Sequence, residues 1–135
     1  MEYLLLIYTP ELPDQSDIPR EVFEKQLAAY GDFTRDVRER GVLLAGEALQ
    51  PTTTATCVRI REGGTLVTDG PFAETKEALG GFYMLECRDL DEAIEYAARL
   101  PAAREGTIEV RPIWQLPETY GRGDAPSAPG ANEPS

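Results

Sequence analysis

The apolar positions of this chain change their period several times, and each change marks an element. Glu2 to Tyr8 (EYLLLIY) is apolar at both odd and even positions and stops before Pro10, which predicts a buried strand. The next stretch, PELPDQSD, is a loop by composition. From Pro19 to Arg40 the period lengthens. Phe23, Leu27, Tyr30, Phe33 and Val37 recur at steps of three or four with charges on the other side, which predicts a helix with one apolar stripe. Pro19 suits its first turn, Asp17 can accept from the free N–H groups there, and Gly41 is the stop. Gly31 interrupts the helix, costs about 1 kcal/mol relative to alanine, and is expected to allow a close backbone approach beside Tyr30.

The period then shortens. Val42 to Leu49 predicts a second strand or extended arm, broken by Pro51. Thr54 to Arg61 predicts a third strand, with Val58 and Ile60 alternating against Arg59 and Arg61. The tripeptide EGG turns the chain, and Thr65 to Thr68 returns as a short partner. After Asp69-Gly70-Pro71-Phe72 a further strand runs from about Gly81 to Arg88. Its Phe82/Met84 and Tyr83/Leu85 sets are apolar on both faces, the pattern of a central strand covered twice. The string DLDE opens a second helix, with Asp89 as N-cap and Glu92 three residues later in a capping-box pattern. Leu90, Ala93, Ile94, Ala97 and Leu100 are its expected buried stripe, and Pro101 ends it. Thr107 to Trp114 is the last strand, where Pro112 argues for an edge or a strand end.

Beyond Trp114 the chain is rich in Pro, Gly, Ala and Ser and has almost no apolar residues. Such a segment cannot offset the entropy of ordering, so residues 1–116 are read as one domain and 117–135 as a flexible tail. The element order is β-α-β-β(-β)-β-α-β, an α+β, ferredoxin-like plan with an extra hairpin. Both helices are expected on one face of an antiparallel sheet. No element remains to cover the other face, so a second copy packed sheet to sheet is the expected solution, a two-fold homodimer.

Composition narrows the chemistry. The chain has 135 residues, with 24 acidic against 13 basic residues and a net charge of −11. No basic cluster offers a phosphate-binding surface, and the negative charge would repel anionic membranes, so neither nucleic acid nor membrane is an expected partner. Cys57 and Cys87 each lie in an apolar strand-like run and read as reduced core residues. The N-terminal apolar run is short and has no basic lead, which points to a cytoplasmic protein. There is no histidine. That removes the usual neutral-pH acid–base group, the Ser-His and Cys-His nucleophile pairs and most zinc sites, so no metal is expected and any chemistry must use Asp, Glu, Tyr, Arg or Lys, or else a cofactor. No Gly-rich phosphate loop or dinucleotide fingerprint is present, so no cofactor is expected.

Thr68 to Leu85 (TDGPFAETKEALGGFYML) admits two readings. In one, Asp69 accepts from backbone N–H groups just beyond it, Gly70 supplies unusual dihedrals, Pro71 starts a single helical turn and Phe72 plugs an apolar surface. Gly80-Gly81 then brings the chain close to another backbone. In the other, the loop walls a pocket between the first helix and the sheet. There Asp69 and Tyr30 would supply acid–base chemistry, with Gly70, Pro71, Phe72, Arg59 and Arg111 binding a ligand, the arginines by forking onto an anionic group. Tyr30 lies on the apolar stripe, and Arg59 and Arg111 alternate with apolar residues, so core and solvated-strand roles compete with these. Trp114 and the tyrosines Tyr3, Tyr8 and Tyr83 are expected in the core or the dimer interface.

VTDGPFAETKEALGGFYMLE, followed by DLDEAIEYAARLP and EVRPIW, resembles the DGPF group of YCII-related proteins, and MEYLLLIY and GVLLAGEALQPTTTATCVRI fit the same group. The resemblance covers roughly residues 1 to 116. It implies the dimeric α/β barrel fold, which the element order suggests independently. Relatives in the wider YCII group carry a His–Asp pair in a cleft, and alignment on Gly41 places that histidine at Tyr30, a departure that removes an inherited His–Asp mechanism. The resemblance also implies an association with extracytoplasmic-function sigma factors. Three functional classes therefore stand: a regulatory homodimeric module, a small enzyme or ligand-binding barrel using Asp69 and Tyr30, and a structural member that has lost its site.

Overall fold

A computed structural model describes residues 1–10, 18–72 and 76–117. Asp17, the proposed helix cap, Ala73 to Thr75 of the loop after Phe72, and the tail from residue 118 onward lie outside the described residues. The chain runs β1 (Glu2–Thr9), α1 (Arg20–Glu39), β2 (Leu43–Ala48), a short 3-10 turn (Thr52–Thr54), β3 (Thr56–Arg61), β4 (Gly64–Asp69), β5 (Ala78–Glu86), α2 (Leu90–Arg99), α3 (Ala102–Glu105) and β6 (Thr107–Pro112). Four strands form one antiparallel sheet in the order β2-β5-β1-β6, the ferredoxin-like arrangement, while β3 and β4 pair only with each other.

Register assigns each side chain to a face. Tyr3, Leu5 and Ile7 of β1 stand opposite Leu85, Tyr83 and Gly81 of β5 and opposite Pro112, Val110 and Ile108 of β6. This face meets the helices. Its core joins those strand residues to Phe33 and Val37 of α1, Ala93, Tyr96, Ala97 and Leu100 of α2, and Ala102 of α3. Phe33 packs edge-on against Tyr83, with ring centroids 5.0 Å apart, and against Tyr96 at 6.2 Å. Because α1 and α2 feed one cluster, both lie on the same side of the sheet. On the opposite face Leu4 and Leu6 stand beside Met84 and Phe82, and Ala45 and Glu47 of β2 extend the same rows. Glu109 and Arg111 border that face on β6 and are ion-paired to each other.

Helix ends follow the sequence closely. The Glu92 N–H donates to Asp89 Oδ1 at 2.9 Å, so Asp89 caps α2, and Glu92 Oε1 accepts from the Arg88 N–H at 2.8 Å, one residue earlier than a capping box usually reaches. At the end of α1 the Gly41 N–H donates to the Arg38 carbonyl and the Val42 N–H to the Val37 carbonyl, a Schellman closure. That closure needs the left-handed backbone Gly41 supplies, with φ 75°. Pro112 ends β6, an edge strand, where its missing donor costs no ladder bond.

Other expectations are corrected. The stripe of α1 divides: Phe33 and Val37 are buried, but Phe23 is 49% and Leu27 56% exposed. Of the stripe expected in α2, Leu90 and Ile94 are exposed, because Tyr96, absent from that stripe, rotates the buried face towards Ala93, Tyr96 and Ala97. A side chain at Gly31 would meet open space, so no backbone approaches it. Trp114 is outside the core, 82% exposed in the single chain, which leaves only the interface half of its expectation. Both cysteines are free, Cys87 buried and Cys57 half-buried. No helix of the described residues is long and apolar enough to cross a membrane.

Burial, reinforced by Glu92, pushes the Cys87 thiol up to about 11. The folded chain therefore holds this proton more tightly than the unfolded chain. The contribution is complete below the ordinary thiol value near ~8.5 and is lost as pH rises towards the folded value. Urea midpoints are expected to fall between pH 9 and 11, and to fall less steeply in Cys87→Ala. Equal slopes in the two proteins would exclude this cause.

Candidate functional site

The concave feature of the fold lies between α1 and the sheet, a cleft of about 810 Å³. Its origin is mechanical. The C-terminal half of α1 is held down: Phe33 and Val37 are buried, and the Asp36 carboxylate accepts from Arg40 Nε at 3.1 Å and from Arg99 Nη1 of α2 at 2.8 Å. Those two arginines, Arg99 foremost, hold the Asp36 carboxyl below its ordinary range. Among the described residues the N-terminal half has no such tie to another element; its ion pair, Arg20–Glu24, lies within the helix. Val22, Phe23 and Leu27 stand off the sheet, and with Ile18 they form one wall of the cleft. Leu49, Pro51 and Pro101 line it as well.

Along the inner edge of α1 the wall turns polar. Tyr30, Thr34 and Arg38 follow at steps of four, so they share one side of the helix, and all three line the cleft. The Thr34 hydroxyl donates to the Tyr30 carbonyl at 2.8 Å, and its oxygen accepts from the Tyr83 hydroxyl at 2.7 Å, because its own proton is already used. The Tyr83 ring lies on β5 over Gly46 of β2, where an added Cβ would sit 3.0 Å from the ring. Glycine at 46 therefore seats the tyrosine at the cleft floor. Burial pushes the Tyr30 phenol above its ordinary value, and Tyr83 and Glu105 add to this, against an opposing hydrogen bond from the Ala102 backbone. A phenol so placed stays protonated at neutral pH. It can donate a hydrogen bond but is a poor base.

Arg38 has no ion-pair partner among the described residues, unlike Arg20, Arg35, Arg40 and Arg99 of the two helices. Among the described residues it is also the one cationic residue in the cleft lining. Glu47 and Glu105 line the cleft too. By register Glu47 shares the row of Phe82 on the outer face of the sheet, and Glu105 closes α3 on the Tyr30 side.

Of the residues singled out from the sequence, Tyr30 lines this cleft, whereas Asp69, Gly70, Pro71, Phe72, Arg59 and Arg111 are not among its lining residues. Asp69 ends β4 opposite Thr56, and its exposed carboxylate accepts no hydrogen bond from any described residue. Gly70 takes φ 95° and donates its N–H to the Ala55 carbonyl at 2.7 Å, so the turn chemistry rests on Gly70 and not on an Asp69 cap. The Arg59 guanidinium sits 4.5 Å above the Phe72 ring, and the Cys57 thiol donates to the Gly70 carbonyl at 3.3 Å. The DGPF turn is thus folded against one face of the β3–β4 hairpin. Arg111 lies on the far edge strand, where its Nε donates to Glu109 Oε2 at 3.2 Å. Within one chain these candidates occupy three separate places.

Sequence reasoning missed Thr34, Tyr83 and Arg38 as a set. The signal was present for two of them, since Thr34 and Arg38 continue the Tyr30 spacing at four-residue steps. Tyr83 could be joined to them only by the fold.

An α+β domain of ferredoxin-like strand order, with an open cleft under its first helix, is the class these observations define. The chain belongs to the YCII-related family: the YCII-related domain matches residues 1–117. It is also similar to a protein of Rhizobium meliloti (strain 1021) described as uncharacterized, 40% identical over 129 residues, which span 94% of this chain and 100% of that protein.

Proposed function

We propose that this chain is a small-ligand-binding homodimer of the DGPF group within the YCII-related family, with two copies joined through the outer sheet faces and one ligand cleft in each. The observation that carries the binding reading is the cleft itself. Its volume is within the range of small-molecule sites, and it is walled by exposed Phe23 and Leu27, which would otherwise lose nothing by turning inward. The dimer reading rests on the outer face, where Leu4, Leu6, Phe82 and Met84 form an apolar centre bordered by the Glu109–Arg111 pair.

Binding ranks ahead of acid–base catalysis for two reasons. The cleft phenol is held protonated, and Asp69, its proposed partner, lines no part of the cleft. A titration with N-phenyl-1-naphthylamine, a neutral apolar fluorophore, tests the reading. Saturable binding of one probe per protomer is expected, weakened about tenfold or more in Leu27→Glu, since a carboxylate there is desolvated by the bound ring. Absence of saturable binding, or equal binding by the variant, removes the proposal.

A further inference from the structure

Resting on the cleft-binding reading, we propose that the ligand is an amphipathic monoanion, an apolar body ending in a carboxylate, with its anionic end held by Arg38 and its body lying under Val22, Phe23 and Leu27. The lining is ordered along α1: apolar at Ile18, Val22, Phe23 and Leu27, hydroxylic at Tyr30 and Thr34, cationic at Arg38. From Leu27 to Arg38 the helix rises about 16 Å, the reach of a medium-length apolar chain with a head group.

Arg38 is suited to the head for two reasons. Arg38 lines the cleft, and its guanidinium has no carboxylate partner among the described residues. Its fork geometry also matches a carboxylate bidentately. The Thr34–Tyr83 hydroxyl pair lies one helical turn away; with the Thr34 proton on the Tyr30 carbonyl and the Tyr83 proton on Thr34, its remaining lone pairs only accept, so the carboxylate is held by Arg38 and not by these hydroxyls.

The charge pattern gives direction. The chain as a whole is strongly acidic, which disfavours an anion at most of its surface and favours the neighbourhood of a cation such as Arg38. Glu105, which stands on the Tyr30 side of the lining, disfavours a second negative group near the middle of the cleft, and this restricts the ligand to one anionic end. Glu47, in the row of Phe82 by register, lines the cleft as well and also disfavours a second negative group there.

Displacement of N-phenyl-1-naphthylamine by sodium decanoate and by 1-decanol, at low and at high salt, tests this. Decanoate is expected to compete about 10- to 100-fold more tightly than decanol, the range of a charge-assisted hydrogen-bonded contact. That advantage should shrink in salt. Arg38→Gln should abolish it and leave decanol unchanged, while Arg38→Lys keeps part of it. Arg38 is exposed and has no ion-pair partner among the described residues, so these variants are expected to fold, which circular dichroism verifies. Equal competition by the two amphiphiles, or an equal loss of both in Arg38→Gln, overturns the monoanion assignment while leaving the cleft reading intact. Failure of the neutral fluorophore to bind the wild-type protein overturns both.

Discussion

Gly106→Ala is expected to destabilise the protein by about 3 kcal/mol, lowering Tm by roughly 10–20 °C. An added Cβ at this position would lie 2.0 Å from the Tyr8 carbonyl oxygen and 2.9 Å from Thr9 Cα. Both are backbone atoms of β1, the central strand that pairs with β5 and β6, so neither can move aside as a flexible side-chain tip would. The φ of −135° is open to any residue, so the penalty is contact and not backbone strain. Relief requires α3 and the start of β6 to withdraw from β1. Those elements carry Ala102 and Glu105 of the cleft lining. Thermal unfolding and urea titration should therefore report a large loss, and fluorophore binding should weaken with it. Gly31→Ala, where the same atom meets open space, is the control. A fall of less than 1 °C in Gly106→Ala would show that the approach of α3 to β1 is loose.

The second large effect concerns the outer sheet face. Met84→Lys should convert the proposed dimer to a monomer at micromolar concentration. Met84 stands between Leu4 of β1 and Ala45 of β2, with no acidic side chain directly beside it in the register. In the single chain it is half-buried at an open surface, so a lysine there can extend into water and the fold is kept. In a sheet-to-sheet dimer the ammonium is trapped between two apolar faces, at about 3–5 kcal/mol for each unpaired buried charge, and symmetry repeats the cost. Sedimentation velocity reads the result. Ile94→Lys, on the outward side of α2, should leave the dimer unchanged. A wild-type monomer at these concentrations, or a Met84→Lys dimer of undiminished affinity, would remove the sheet-face interface. The hairpin would then be the next surface to test, because Val58 and Ile60 are 62% and 61% exposed on a two-stranded ribbon that pairs with nothing else.

The sequence marked some features residue by residue. The Asp89–Glu92 cap, the Gly41 stop and the edge position of Pro112 are local: each depends on backbone groups within a few residues, and each is found where the residue types put it. The apolar pattern of β1 likewise announced a buried strand, and the two-sided pattern of β5 a central one. The candidate site was less legible. Tyr30 was marked, but it was paired with Asp69 because the DGPF string invites a functional reading. The chain instead folds that string against Arg59 and Cys57, on the ribbon.

By itself the sequence determined the element order, the ferredoxin-like sheet and the membership of the YCII-related family, because strand and helix periods, caps and turn residues act over short range. Only the tertiary structure decided that the stripe of α1 is half core and half cleft wall. Periodicity states which side chains share a face. It does not state how far that face stands from the sheet. That distance is set by contacts remote in the chain: the Asp36–Arg99 tie, the Thr34–Tyr83 hydroxyl pair, and the close passage of Gly106 against β1.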